Sequence, residues 1–92
     1  MVTIRIPALW RSAAGGVRQV ELPTGSLADV LKALVERFPS LGTHLFDARG
    51  EVCSAINLFV NQEHVRFRGG LSVPLQDGDE VYIVPMISGG NR

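Results

Sequence analysis

Two periods organise the apolar positions of the chain. Val2, Ile4 and Ile6 alternate with Thr3 and Arg5, the pattern of a half-buried strand, and Pro7 ends it. Leu9 and Trp10 are candidates to extend that strand past the proline. Ser12-Ala13-Ala14-Gly15-Gly16 reads as a turn or short loop. Val17 to Leu22 reads as a second strand with Val20 and Leu22 on its apolar face, broken by Pro23-Thr24-Gly25. The short connection predicts an antiparallel hairpin. From Ser26 the period lengthens. Leu27, Val30, Leu31, Leu34, Val35 and Phe38 follow at helical spacing and form one stripe. Ser26 is placed to cap that helix with its hydroxyl, Asp29 lies at the positive end of the helix dipole, and Pro39 ends it. Ser40 to Phe46 reads as a short second helix or turn with Leu41 and Leu45 four apart. Asp47 to Gly50 reads as loop.

Alternation returns in the second half. Ile56, Leu58 and Val60 form one face of a third strand, with Asn57, Phe59 and Asn61 on the other. A turn at Asn61-Gln62-Glu63 leads to a short strand expected over His64 to Arg66. Gly69-Gly70 opens an irregular connection, and Pro74 to Asp79 reads as a turn. Glu80 to Pro85 is the last strand, Val81 and Ile83 facing one way, Tyr82 and Val84 the other. One helical stripe needs one sheet face to bury against. The order strand, strand, helix, short strands therefore predicts an α+β fold, a β-grasp (ubiquitin-like) domain. Its sheet is mixed, with one main helix packed across one face and a right-handed crossover joining the first hairpin to a later parallel strand. The expected core unites Leu31, Leu34, Phe38, Leu58, Val60, Val81 and Ile83. The β-grasp domain is expected over 1–87, followed by a flexible tail over 88–92.

Ninety-two residues, 46% hydrophobic and 20% charged, are enough for one small core and little for an internal cavity. Nine basic and nine acidic residues cancel, and only Lys32 is a lysine. Without a basic stripe, nucleic acid is a poor partner. Without an apolar run of spanning length, a membrane is not expected either. Met1 to Arg5 reads as strand and not as a signal peptide. Cys53, the single cysteine, cannot close an internal disulfide, so a cytoplasmic location is expected.

Enzyme constellations are weak. His44, His64 and Cys53 lack metal-ligand spacing and read as surface or structural residues, so neither a metal nor a cofactor is expected. Asp77, Asp79 and Glu80 read as a solvated turn. Gly15-Gly16 and Gly69-Gly70 lack the lysine and flanking elements of a phosphate loop. Phe59, Tyr82 and Val84, opposite the helix, are either a minor core under a loop or a docking patch for a partner. The end Ser88-Gly89-Gly90-Asn91-Arg92 is the unusual feature: two glycines carry no side chain and can enter a narrow channel.

The stretches Ala55 to Asn61, Val65 to Leu71, Leu75 to Val81 and Pro85 to Gly90 resemble the MoaD/ThiS sulfur-carrier family. The Gly69-Gly70-Leu71 form is most similar to the CysO-type carriers of bacterial cysteine biosynthesis. The resemblance covers Val2 to Gly90. It implies a protein co-substrate and not an enzyme. A ubiquitin-activating-type adenylyltransferase would adenylate Gly90 with ATP and magnesium. Sulfur, often from a rhodanese-like persulfide, would then leave a thiocarboxylate on Gly90, with Gly89 giving access. The acceptor would be a pyridoxal-phosphate cysteine synthase. The sequence departs from the pattern in Asn91-Arg92, which follow the diglycine. The Gly90–Asn91 bond is the expected processing site, for example for a JAMM-type zinc peptidase. The alternatives are a ubiquitin-like binding or regulatory subunit that is never charged, or a small subunit of a molybdopterin synthase.

Overall fold

Alternation at the N-terminus yields strand β1 (Val2–Arg5), which buries Val2 and Ile4 and turns Thr3 and Arg5 outward. The structure, a computed structural model, describes residues 1–67 and 69–85. The expected tail over 88–92 lies outside the described residues. The remaining elements are β2 (Gln19–Leu22), β3 (Gly25–Ser26), α1 (Leu27–Arg37), α2 (Gly42–Leu45), β4 (Ile56–Val60), β5 (Glu63–His64), β6 (Pro74–Leu75) and β7 (Glu80–Pro85). β1 pairs antiparallel with β2 and parallel with β7, β7 pairs antiparallel with β4, and β4 with β5. The five-stranded order is β2-β1-β7-β4-β5. β3 and β6 form a separate two-stranded ladder at the start of α1. A mixed sheet carrying one main helix is the ubiquitin-like β-grasp arrangement.

Helix α1 forms where the stripe predicts it. The Asp29 N–H donates to Ser26 Oγ at 3.1 Å, which satisfies one of the unpaired donors of the first turn. Asp29 and Arg37 sit at the helix ends whose partial charges favour them. Phe38 leaves helical geometry at φ −131°, ψ 80°, the extended backbone that a following proline demands. Leu27, Val30, Leu31 and Leu34 are buried against Ile4, Leu58, Val60, Val81 and Ile83 in one cluster. Leu41 and Leu45, one turn apart, extend it beyond α1.

Four expectations need correction. Leu9 and Trp10 do not extend β1. Pro7 cannot donate to a ladder, the chain turns into a 3-10 helix over Ala8–Trp10, and the Trp10 N–H donates to the Pro7 carbonyl at 2.9 Å. That turn buries Trp10, stacks it on His44 at 5.3 Å and leaves Leu9 outside. The short strand expected over His64 to Arg66 lies earlier: β5 covers Glu63–His64, and Val65–Phe67 is a 3-10 helix. Pro74 and Leu75 are strand rather than turn, because Leu75 is buried and pairs with Gly25. Phe38 is half-buried at the margin of the core, since it stands at the helix end after the stripe has begun to leave the sheet.

Candidate functional site

The outer face of the sheet is built by register. Gln19, Arg5, Tyr82, Phe59 and His64 are successive partners, one from each of five strands, and so stand in one row across the face opposite α1. Val84 lies two residues along β7 and faces Asn57 of β4. Tyr82 and Val84 are exposed, at 37% and 40% of their surface. Phe59 is half-buried and meets the His64 ring edge-on at 5.1 Å. Among the described residues no loop covers Tyr82 or Val84.

The polar groups of the row bind one another. Arg5 Nη1 donates to Gln19 Oε1, and Arg5 Nη2 lies 3.5 Å from Glu80 Oε1. The Tyr82 hydroxyl donates to the same Glu80 oxygen at 2.6 Å. The Arg5 guanidinium stands 6.0 Å from the Tyr82 ring centre. The Tyr82 hydrogen bond, supported by the Arg5 charge, holds the Glu80 carboxyl below the usual carboxylate range. The same bond raises the Tyr82 phenol, whose ionised form could not donate it. The centre of the face is therefore largely paired within itself, Arg5 Nε alone of its buried side-chain polar atoms lacking a hydrogen-bond partner among the described residues, with apolar rings and Val84 presented outward.

His64 was legible only as a surface or turn residue, yet it is fixed in one tautomer. The Arg66 N–H donates to Nδ1 at 3.1 Å, so Nδ1 carries no proton, and Nε2 donates to Asn57 Oδ1 at 2.8 Å. The ring thereby joins β4, β5 and the 3-10 turn after β5. Arg5 and Phe67 are the other residues of this face that sequence reasoning missed. A signal existed for Arg5, since it lies on the outward phase of β1. None existed for Phe67, whose position depends on where β5 ends.

The acidic turn before β7 has structural employment. Asp79 Oδ2 accepts from the Gln76 N–H, and Asp79 Oδ1 accepts from Asn61 Nδ2. Asn61 adopts φ 58°, a region asparagine tolerates, and exchanges two further bonds with the Glu80 backbone. The Met1 ammonium pairs with Asp77 and holds its carboxyl below the usual range through a hydrogen bond and its charge. Cys53 is half-buried. Among the described residues no group of three or more histidine, cysteine or acidic side chains could hold a metal ion, and no pocket opens. No helix among them is long and apolar enough to cross a membrane. Gly89, Gly90 and Asn91 lie outside the described residues.

The family model described as "ThiS family" matches residues 4–90. The sulfur carrier protein CysO of Mycobacterium tuberculosis is 35% identical over 91 residues, which cover 97% of this chain and 98% of that protein. Its crystal structure superposes with a TM-score of 0.85 at 34% identity, over 95% of this chain and all of that one. A chain in the crystal structure of the Amycolatopsis orientalis BexX/CysO complex gives a TM-score of 0.87 at 32% identity, covering 98% of this chain and all of that one.

Proposed function

The chain belongs to the ThiS family, and on that premise we propose that it is a sulfur carrier of the cytoplasm that works as a thiocarboxylate on Gly90. Residues beyond Gly90, Asn91 and Arg92 included, are removed by hydrolysis of the Gly90–Asn91 bond, a reaction suited to a JAMM-type zinc peptidase. An adenylyltransferase of the ubiquitin-activating type then joins the freed carboxylate to AMP and releases pyrophosphate. A sulfur nucleophile displaces AMP, and the thiocarboxylate carries the sulfur to an acceptor. For a CysO homologue that acceptor is a pyridoxal-phosphate cysteine synthase, and the product is cysteine. The chain supplies recognition and a handle, and its partners supply the catalytic groups.

The observation that carries this reading is the near full-length kinship with CysO carriers, with a family match that ends on the second glycine of the pair. The chemistry agrees with the residues. A carboxylate is a poor electrophile until AMP is its leaving group, and glycine offers that carboxylate without a side chain in the way. Phe59, Tyr82 and Val84 form the surface through which the activating enzyme holds the body, their polar neighbours being already paired. The BexX/CysO complex is a case of a related carrier held by another protein.

The test is ATP–pyrophosphate exchange by the cognate activating enzyme on three chains. The chain ending at Gly90 should support exchange. The chain carrying Asn91-Arg92 should be inert without a peptidase, because the carboxylate that attacks ATP is absent at Gly90. Gly90→Ala in the trimmed chain should slow exchange, since the added methyl restricts the backbone and crowds the channel. Equal exchange by the trimmed and untrimmed chains would defeat the processing step. No exchange by the trimmed chain would defeat the carrier reading in favour of an uncharged binding subunit.

A further inference from the structure

Beyond the sheet, one aromatic side chain is presented to solvent by a built support. Phe67, in the 3-10 turn after β5, is 72% exposed, the largest fraction among the exposed large apolar residues described. It is not isolated. The His64 ring lies edge-on to it at 6.4 Å and edge-on to Phe59 at 5.1 Å, so Tyr82, Phe59, His64 and Phe67 run as one aromatic line from the central strand over the sheet edge. The turn that carries Phe67 is tied by the Arg66 N–H bond to His64 Nδ1, and His64 is itself tied to Asn57. A side chain carried on a turn tied this way costs less backbone ordering on binding than one on a free loop.

Charge decides what such an arm fits. Arg5, on β1 beside the central strand, is engaged by Gln19 and Glu80. Arg66 is not. It is exposed, it lies 5.9 Å from the Phe67 ring centre, and it makes no ion pair with any carboxylate side chain of the described residues. Among the described residues around this edge, a positive charge left for a partner therefore sits beside the most exposed ring. Arginine and aromatic side chains are also the types that concentrate binding energy at interfaces.

We infer that Phe67 and Arg66 form a recognition arm that seats in an apolar pocket with a carboxylate rim on the activating enzyme, and that His64 is the positioning residue that aims the arm. This rests on the carrier reading above, in that it takes the activating enzyme as the partner. The arm stands on the side of β4 away from the central strand that leads to the tail, so the enzyme reads the edge of the body as well as its end.

The experiment is calorimetric titration of the full chain into the cognate activating enzyme, without ATP, at low and moderate salt. Phe67→Ala should weaken the dissociation constant by about tenfold. Arg66→Gln should weaken it less and flatten its dependence on salt, since a screened ion pair has been removed. His64→Ala, which frees the turn, should approach the Phe67→Ala loss. His64→Asn places an oxygen where Nδ1 stands, can accept the Arg66 N–H, and should recover most of the affinity. Leu9→Ala, an equally bare residue on the 3-10 turn after β1, should change nothing. Wild-type affinity in Phe67→Ala, or no binding by the wild-type chain, overturns the arm. Equal losses in His64→Asn and His64→Ala overturn the positioning role. The exchange assay judges the carrier reading separately, so the two ideas fall on different measurements.

Discussion

Tyr82 and Glu80 state at single-residue scale how the outer face is kept in order. Their shared hydrogen bond stabilises a protonated phenol and an ionised carboxylate together. The lowered Glu80 value contributes stability above the unfolded carboxylate range and loses it as pH falls through the folded value. The raised Tyr82 value contributes below the unfolded phenol value and loses it as pH rises through the folded one. The pair therefore operates across the neutral range and is released at both extremes. Tyr82 is the sole tyrosine, so phenolate absorbance reads it alone. Its midpoint should lie above the ordinary phenol value of about 10, and Glu80→Gln should bring it down towards that value. A midpoint unmoved by Glu80→Gln would show that the bond is absent in solution. Tyr82 and Val84 were legible as outward residues because strand alternation is strict. His64 and Phe67 were not, because their roles arise from an imidazole capturing a backbone N–H, an event with no periodic signature.

The same contrast holds for elements. Helix α1 could be read from its stripe, its serine cap and its terminating proline, each a local effect that the tertiary structure reinforces. The short pieces could not. Two residues at β6 become strand only because Leu75 finds a buried place and Gly25 a partner, which are facts about distant segments. The turn at Ala8–Trp10 follows from Pro7, which cannot continue the ladder, and it puts Trp10 into a core built by distant segments. Stability should follow this division. Leu34, fully buried on the core-facing side of α1, should cost about 2–5 kcal/mol as Leu34→Ala, whereas Ser26→Ala should cost about 1 kcal/mol for the lost cap. Urea unfolding measures both. A Leu34→Ala loss no larger than that of Ser26→Ala would mean the helix is held by its own propensity and not by the sheet.

At the scale of the molecule, the two faces of one sheet divide the work. One face holds α1, and the other carries the row from Gln19 to His64, which on the proposed reading meets a partner. Phe59→Ser should therefore weaken binding to the activating enzyme by about tenfold while leaving α1 and its core in place. Calorimetry for the first and the urea midpoint for the second test it, and unchanged affinity would remove this face from recognition. The overall topology was legible as far as one helix, one mixed sheet and a crossover to a later parallel strand; that this strand is β7, paired with β1, came from the structure and not from any residue pattern. The placement of β7 has a mechanical meaning. The strand that runs on towards the C-terminus is the middle one, hydrogen-bonded to β1 on one side and to β4 on the other. A tug applied beyond Pro85 pulls along the strand axis and must shear both ladders together, where an edge strand would unzip one bond at a time. On the proposed reading, an enzyme that draws the end of this chain into a channel loads both ladders in shear, and the body holds its shape at the entrance.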